Sequence, residues 1–355
     1  MARGKTSLAA LKKGSTWGTI VQCGALDGFR LNTSGLTGGK EVVPDDSMTG
    51  NGYGDTPIIG QEVHTGTVST TFRYGGNCDY MLAAIMGTAG TPTNVETSLE
   101  YTHVLSFESR LGDFFTYCER KGAAVQVWEY ASAMISRLVI EITGRGPGTI
   151  DMDLIAGAMI DDDSSTNSKS NFASVTIPTP IVPIFLGDCR VWINTQGGAA
   201  LDSGDVIYPN LIRITVDRKL SEDWRANTSI GRQVSQPTET GDVEVFLQLG
   251  FPEYTANTYR GWVDDGTEQK ATIFITSAAA DLTGADSGDV WHEYDIDFPR
   301  LIGWERPDNS ISGPERIEDG VTFRCIAPSA APTGMNATGP FECTVRNQVS
   351  TNLLA

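Results

Sequence analysis

Residues 65–76 read TGTVSTTFRYGG, and residues 240–251 read TGDVEVFLQLGF. Thr-Gly, a valine and a closing glycine recur in register, with Leu247 standing where Phe72 stands. A chain that contains the same unit twice must fold that unit twice, which constrains the architecture more than any single motif. The likeness extends beyond this stretch. After Gly76, NCDYMLAAIMGTAG predicts a short helix with Asn77 as cap, Tyr80, Met81, Ala84 and Ile85 on one face, and glycines at its end. PEYTANTYRGW stands at the matching place, with Pro252 in a first helical turn, Tyr254 and Thr258 four apart, and Gly261 as the stop. Strand candidates follow in the same order: 100–110 with 270–279, 137–148 with 292–303, and 148–159 with 320–328. Upstream, 24–36 answers 208–220. Six elements in one order indicate an internal duplication.

The expected fold class is all-β. Two tandem β-sandwich or barrel domains, 14–160 and 183–328, each carry one short flanking α-helix. Between them 161–182, polar and then proline-rich, reads as an extended linker. Residues 1–13 read as an N-terminal arm, briefly helical over Ser7–Lys13, and 329–355 as a C-terminal arm without a counterpart. Within the second half, GWVDDGTEQ and RLIGWERPDNSISGPERIEDG read as extended loops.

The 355 residues carry 44 acidic and 26 basic side chains, a formal net charge of −18. Sequence-specific reading of nucleic acid calls for a basic footprint, so this balance argues against it. The charge is uneven: the first forty residues carry Arg3, Lys5, Lys12, Lys13, Arg30 and Lys40 against Asp27 alone. A basic start on an acidic body suits head-to-tail contact between copies. No apolar run reaches the roughly 18–20 residues of a membrane span, and the first residues lack the apolar stretch of a secretory leader. The expectation is a product of the cytosol. The six cysteines (23, 78, 118, 189, 325 and 343) lie far apart and predict buried thiols rather than a zinc site.

Several patterns could carry chemistry. DSGDV at 202–206 and 286–290 lacks the ligand spacing of a calcium loop and predicts turns. Asp161, Asp162 and Asp163, with Asp151 and Asp153, read as a solvated linker start rather than a cation site. His64, His103 and His292 lie in or beside strands, where packed histidine is the expectation, and no strained Gly-x-Ser-x-Gly elbow accompanies them. GRGPG at 144–148 lacks the Lys-Ser/Thr of a phosphate loop and predicts a hairpin turn. Trp128, Trp192, Trp262, Trp291 and Trp304 could form a sugar platform, or pack in cores and interfaces. No catalytic, cofactor-binding or metal-binding residue is assigned, and the expectation is not an enzyme.

Three stretches together resemble the major tail tube protein of long-tailed bacteriophages. They are GSTWGTIVQCGAL (14–26), GQEVHTGTVSTTFRYGG with YMLAAIMGTAG (60–90), and LSFESR with FFTYCERKGAAVQVWEYASAMISRLVIEITG (105–144). TGDVEVFLQLGF and ATIFITS continue the pattern through the second half, so the likeness covers 14–160 and 183–328. The resemblance implies a virion building block assembled in the bacterial cytoplasm. Its β-sandwich subunits close into rings around a bore, and the rings stack into a conduit for double-stranded DNA. Its partners are further copies of itself and other tail proteins at the tube ends, with no membrane. Because family members mostly carry one tube domain and assemble six per ring, a duplicated chain implies three copies in a pseudo-sixfold ring, with a hexamer as second choice. Length and likeness imply a bare, flexible tail. Two other readings stay open: a two-domain adhesin or capsid decoration protein, and a carboxylate-based glycoside hydrolase.

Overall fold

A computed structural model describes the chain apart from residues 1–6, 45–56, 96–99, 109–111, 122–126, 162–165, 227, 229, 230, 254–256, 282–290, 306–318 and 355. The first half begins with β1 (Leu8–Lys13), β2 (Gly28–Phe29), β3 (Thr33–Ser34), β4 (Thr37–Val43) and β5 (Ile58–Thr71). Next come β6 (Arg73–Tyr74), α1 (Cys78–Met86), β7 (Gly87–Thr88), β8 (Thr93–Asn94) and β9 (Tyr101–Phe107). β10 (Phe115–Arg120), β11 (Val127–Thr143), β12 (Thr149–Ala156) and β13 (Met159–Ile160) complete it. The second half holds β14 (Val182–Pro183), β15 (Cys189–Thr195), β16 (Val206–Ile207), β17 (Leu211–Asp217), β18 (Leu220–Ser221), β19 (Thr238–Glu239) and β20 (Glu244–Phe251). It ends with α2 (Thr258–Asp264), β21 (Gln269–Asp281), β22 (Trp291–Glu305), β23 (Asp319–Cys325) and β24 (Glu342–Asn347). The fold class is all-β.

One antiparallel sheet runs through both halves in the order β3-β5-β12-β11-β17-β20-β23-β22. Its strands alternate as a half-buried sheet requires. Ile212, Ile214 and Val216 of β17, and Val245, Leu247 and Leu249 of β20, are buried, while Arg213, Thr215, Glu244 and Gln248 face outward. The halves meet where β11 pairs with β17, from Arg137↔Asp217 to Thr143↔Leu211.

The pairings of the first half recur in the second. β5 pairs with β12 as β20 pairs with β23, and β12 with β11 as β23 with β22. β3 lies beside β5 as β17 lies beside β20. Behind the central sheet, β2-β1-β10-β11-β13 corresponds to β16-β15-β21-β22-β24. The long strands β11 and β22 serve both layers. The first part of β11 pairs with β10 and its last part with β17; β22 pairs first with β24 and then with β23. Irregular register falls where each strand changes partners: at Ile135/Arg137 in β11, and opposite Gln269/Ala271 at Phe298–Leu301 in β22. A single apolar cluster fills the space between the layers and joins the halves, from Phe29, Tyr117 and Met152 to Leu247, Ile273 and Phe323.

Several expectations need correction. The strand 100–110 is not the counterpart of 270–279: β10 holds that place, and β9 pairs with β24 instead. β7, β8 and β9 form an excursion of the first half, which spacing alone could not separate from the repeat. The stretch 1–13 is no free arm, since its residues 8–13 form β1 rather than a helix, with Ala9, Ala10 and Leu11 buried against β10. The C-terminal arm 329–355 contains β24, clamped between β22 and β9 with Cys343 and Val345 buried. Within the linker 161–182, Asn167 and Phe172 are fully buried.

α1 is a core helix rather than a flanking one: all of its residues but Tyr80 are buried. Asn77 does not cap it. Asn77 takes a left-handed φ of 67° and its amide donates to the carbonyls of Leu26 and Gly28 instead. Gly87 closes the helix in the left-handed conformation, as expected. α2 starts at Thr258, so Pro252 precedes it and Gly261 lies inside it; Tyr254 falls outside the described residues.

Candidate functional site

The outward face of the central sheet is a surface that both halves build together. Alternation on β12, β11, β17, β20 and β23 places carboxylates at Glu141, Asp151, Asp153, Asp217 and Glu244 on it, with Glu305 at the end of β22. Arg137, Arg213, Lys219 and Arg324 lie among them, so carboxylates outnumber cations. The cations are bound in pairs across the ladders. Arg213 Nε lies 3.3 Å from Glu141, Lys219 Nζ 2.8 Å from Glu244 and 3.2 Å from Asp217, and Arg137 3.6 Å from Asp153. Arg324 sits over the Trp304 ring, 5.2 Å from its centre. The middle of the face is a shallow depression lined by Arg213, Thr215, Glu244, Phe246, Gln248 and Thr322. It is polar, and each cation is matched by a nearby carboxylate or ring. Such a surface offers phosphate no unpaired basic patch.

Of the sequence candidates for chemistry, Asp151, Asp153 and Trp304 belong to this face; the others lie elsewhere, and together they do not converge. Asp202 accepts the Gly204 N–H at 2.6 Å, and Asp205 accepts the Asn194 amide at 2.7 Å, so DSGDV at 202–206 is a turn; 286–290 lies outside the described residues. Asp162 and Asp163 also lie outside them, while Asp151 and Asp153 belong to β12. GRGPG connects β11 to β12. Trp192 packs edge-on to Phe274, Trp262 against Tyr259 and Phe323, and Trp128 under Lys121. These rings sit on separate elements and form no shared platform with Trp304; the Trp291 side chain is outside the description. All six cysteines are free thiols, five of them buried.

The histidines are buried, and two of them join one network. Asp79, in the first turn of α1, accepts hydrogen bonds from His292 Nε2 (3.2 Å), the Tyr294 hydroxyl and the Asn347 amide (2.8 Å). His103 Nε2 donates to the Val349 carbonyl at 2.9 Å and lies 3.1 Å from Asn347 Oδ1. Burial alone would raise the Asp79 pKa, but the His292 charge and these three donors outweigh it and hold the carboxyl below its usual range. With all three donors spent on it, Asp79 works as a structural hub between α1, β22 and β24. The neighbouring Cys78 thiol is pushed up to about 12, chiefly by burial, and is protonated at neutral pH. His64 pairs with Glu62 at 3.3 Å and packs edge-on to Tyr130.

Sequence reading missed the residues that tie the halves together. Arg218 is fully buried, and its guanidinium donates to the carbonyls of Ile85 (2.8 Å), Met86 (2.6 Å) and Glu108 (3.1 Å), and to Glu239 (3.1 Å). A second-half arginine thus caps the C-terminal end of the first-half helix. The only signal in the sequence was an arginine directly after the alternating strand LIRITVD. Compared with known proteins, the chain matches no protein-family model and no curated protein.

Proposed function

We propose that the chain is a non-catalytic virion subunit that closes into rings and stacks them into the tail tube of a long-tailed bacteriophage. The observation that carries this reading is the eight-stranded sheet with its repeated pairings. Inside the chain, the end of β11 receives β17. The end of β22 is the counterpart of that site, and β3 is the counterpart of β17. The β3 edge of a following copy therefore has a place beside β22, and three copies repeat one junction six times around a ring. Ring closure removes the open strand edges that otherwise invite uncontrolled pairing.

The outward face of the sheet would then line the bore. Its paired cations and surplus carboxylates repel phosphate, so double-stranded DNA passes without sticking. Partners are further copies and the tail proteins at the tube ends. Negative-stain electron microscopy of concentrated protein should show hollow cylinders of regular rings, with threefold repeats on image averaging. A protein that stays monomeric at every concentration, or retains duplex DNA at low salt, sinks the reading.

A further inference from the structure

Two of the six thiols meet. Cys23, in the segment between β1 and β2, has its Sγ 3.9 Å from Cys118 Sγ of β10, and both side chains are fully buried among Ala10, Val127, Phe172 and Val175. Cys78 and Cys189 donate instead to the carbonyls of Thr71 and Phe185, at 3.8 and 3.7 Å. The meeting is held from the backbone. Val21 N–H donates to Thr116 Oγ1 at 2.9 Å, so residues 21 and 23 lie beside 116 and 118 in the same order. Cys23 N–H donates to Asn167 Oδ1 at 2.7 Å. Asn167 is in turn fastened to Glu129 Oε2 by its own N–H (2.7 Å) and its side-chain amide (2.9 Å). Glu129 stands opposite Cys118 in the β10–β11 ladder, so both cysteines are anchored to one rung.

We propose that Cys23 and Cys118 form a modification site, a thiol pair that closes into an intrachain disulfide when the chain meets an oxidant such as hydrogen peroxide. A disulfide holds its sulfurs about 2.05 Å apart, so each sulfur moves on the order of 1 Å. The two thiols lose two electrons and two protons, and one peroxide takes them up to leave two waters. Burial, then the hydrogen bond with Cys23, hold the Cys118 thiol well above its ordinary range. The pair therefore reacts only in brief local openings, and persists as thiols where reductant is plentiful. Once formed, the bond is shielded by the same packing. It joins positions 95 residues apart, and it fastens to the first-half sheet the segment whose Trp17 indole donates to the second-half Val234 carbonyl at 2.9 Å.

This site does not depend on the ring reading, and its test needs no tubes. The native full chain is incubated with hydrogen peroxide. A second sample is refolded from urea with oxidised glutathione, which takes up the two electrons and two protons and leaves two reduced glutathiones. Thiols counted by mass after maleimide labelling in denaturant should fall from six to four. Non-reducing digests should contain a peptide that links Cys23 to Cys118 within one chain. The oxidised chain should melt on the order of 5 °C higher, a gain that dithiothreitol reverses. Cys118→Ala should keep its circular dichroism and show no such gain. Six thiols after both treatments, sulfinic or sulfonic acid at either residue in place of the link, or a bond from either to another cysteine overturns the proposal.

Discussion

Arg218 shows how much a single buried side chain can carry. Replacing it with methionine keeps the volume but leaves the Ile85, Met86 and Glu108 carbonyls and the Glu239 carboxylate without their cation. Removing one partner of such a buried set costs about 3–5 kcal/mol, so R218M should lower the urea midpoint with the slope unchanged. Asp295 works in the opposite direction. Burial, then Asp297 and Glu293, push its carboxyl from 3.8 to about 7, and its Oδ1 has no hydrogen-bond partner among the described residues. As pH rises from 3.8 through 7 the unfolded chain releases this proton before the folded one does, so stability falls across that window. Asp295→Asn should raise the melting temperature at pH 8 and leave it nearly unchanged at pH 4.

Asp79 and His103 have the reverse sign. Asp79 sits below its ordinary range, and burial lowers the His103 pKa below 6.5. Both groups favour the folded state above their unfolded values and lose that contribution as pH falls through the folded ones. The loss belongs to His103 below pH 6.5 and to Asp79 below pH 3.8, so Asp79→Asn should flatten the fall of the unfolding midpoint below pH 3.8.

At the scale of the element, the glycine stop of the opening motif is a backbone requirement. Gly75 has φ of 71°, and a Cβ there would lie 2.4 Å from the Pro180 carbonyl. Gly75→Ala should cost about 1–3 kcal/mol, measured as a lower thermal midpoint. The turn aims α1 into the core, where its apolar residues face both halves. That helix was legible from YMLAAIM; its depth was not, because a nearly all-apolar segment carries no polar stripe to show an outer face. β1 is a similar case. LAALKK alternates too weakly to separate strand from helix, and only its pairing with β10 decides it.

At the scale of the whole molecule, one sheet and one apolar cluster span both halves of the chain. The β11–β17 ladder, the Arg218 cap and the Asp79 hub all cross the boundary. Neither 1–182 nor 183–355 expressed alone should show a cooperative thermal transition by near-ultraviolet circular dichroism, whereas the full chain should show one.

Period-two alternation and the turn residues were enough to indicate an all-β chain, because side-chain periodicity and turn chemistry are local. Which strand neighbours which was decided in three dimensions. β10 took the place expected of β9, the terminal segments contributed strands, and the two halves share one sheet. Strand pairing depends on contacts between residues hundreds of positions apart, and hydrophobic pattern leaves such partners interchangeable until packing selects among them.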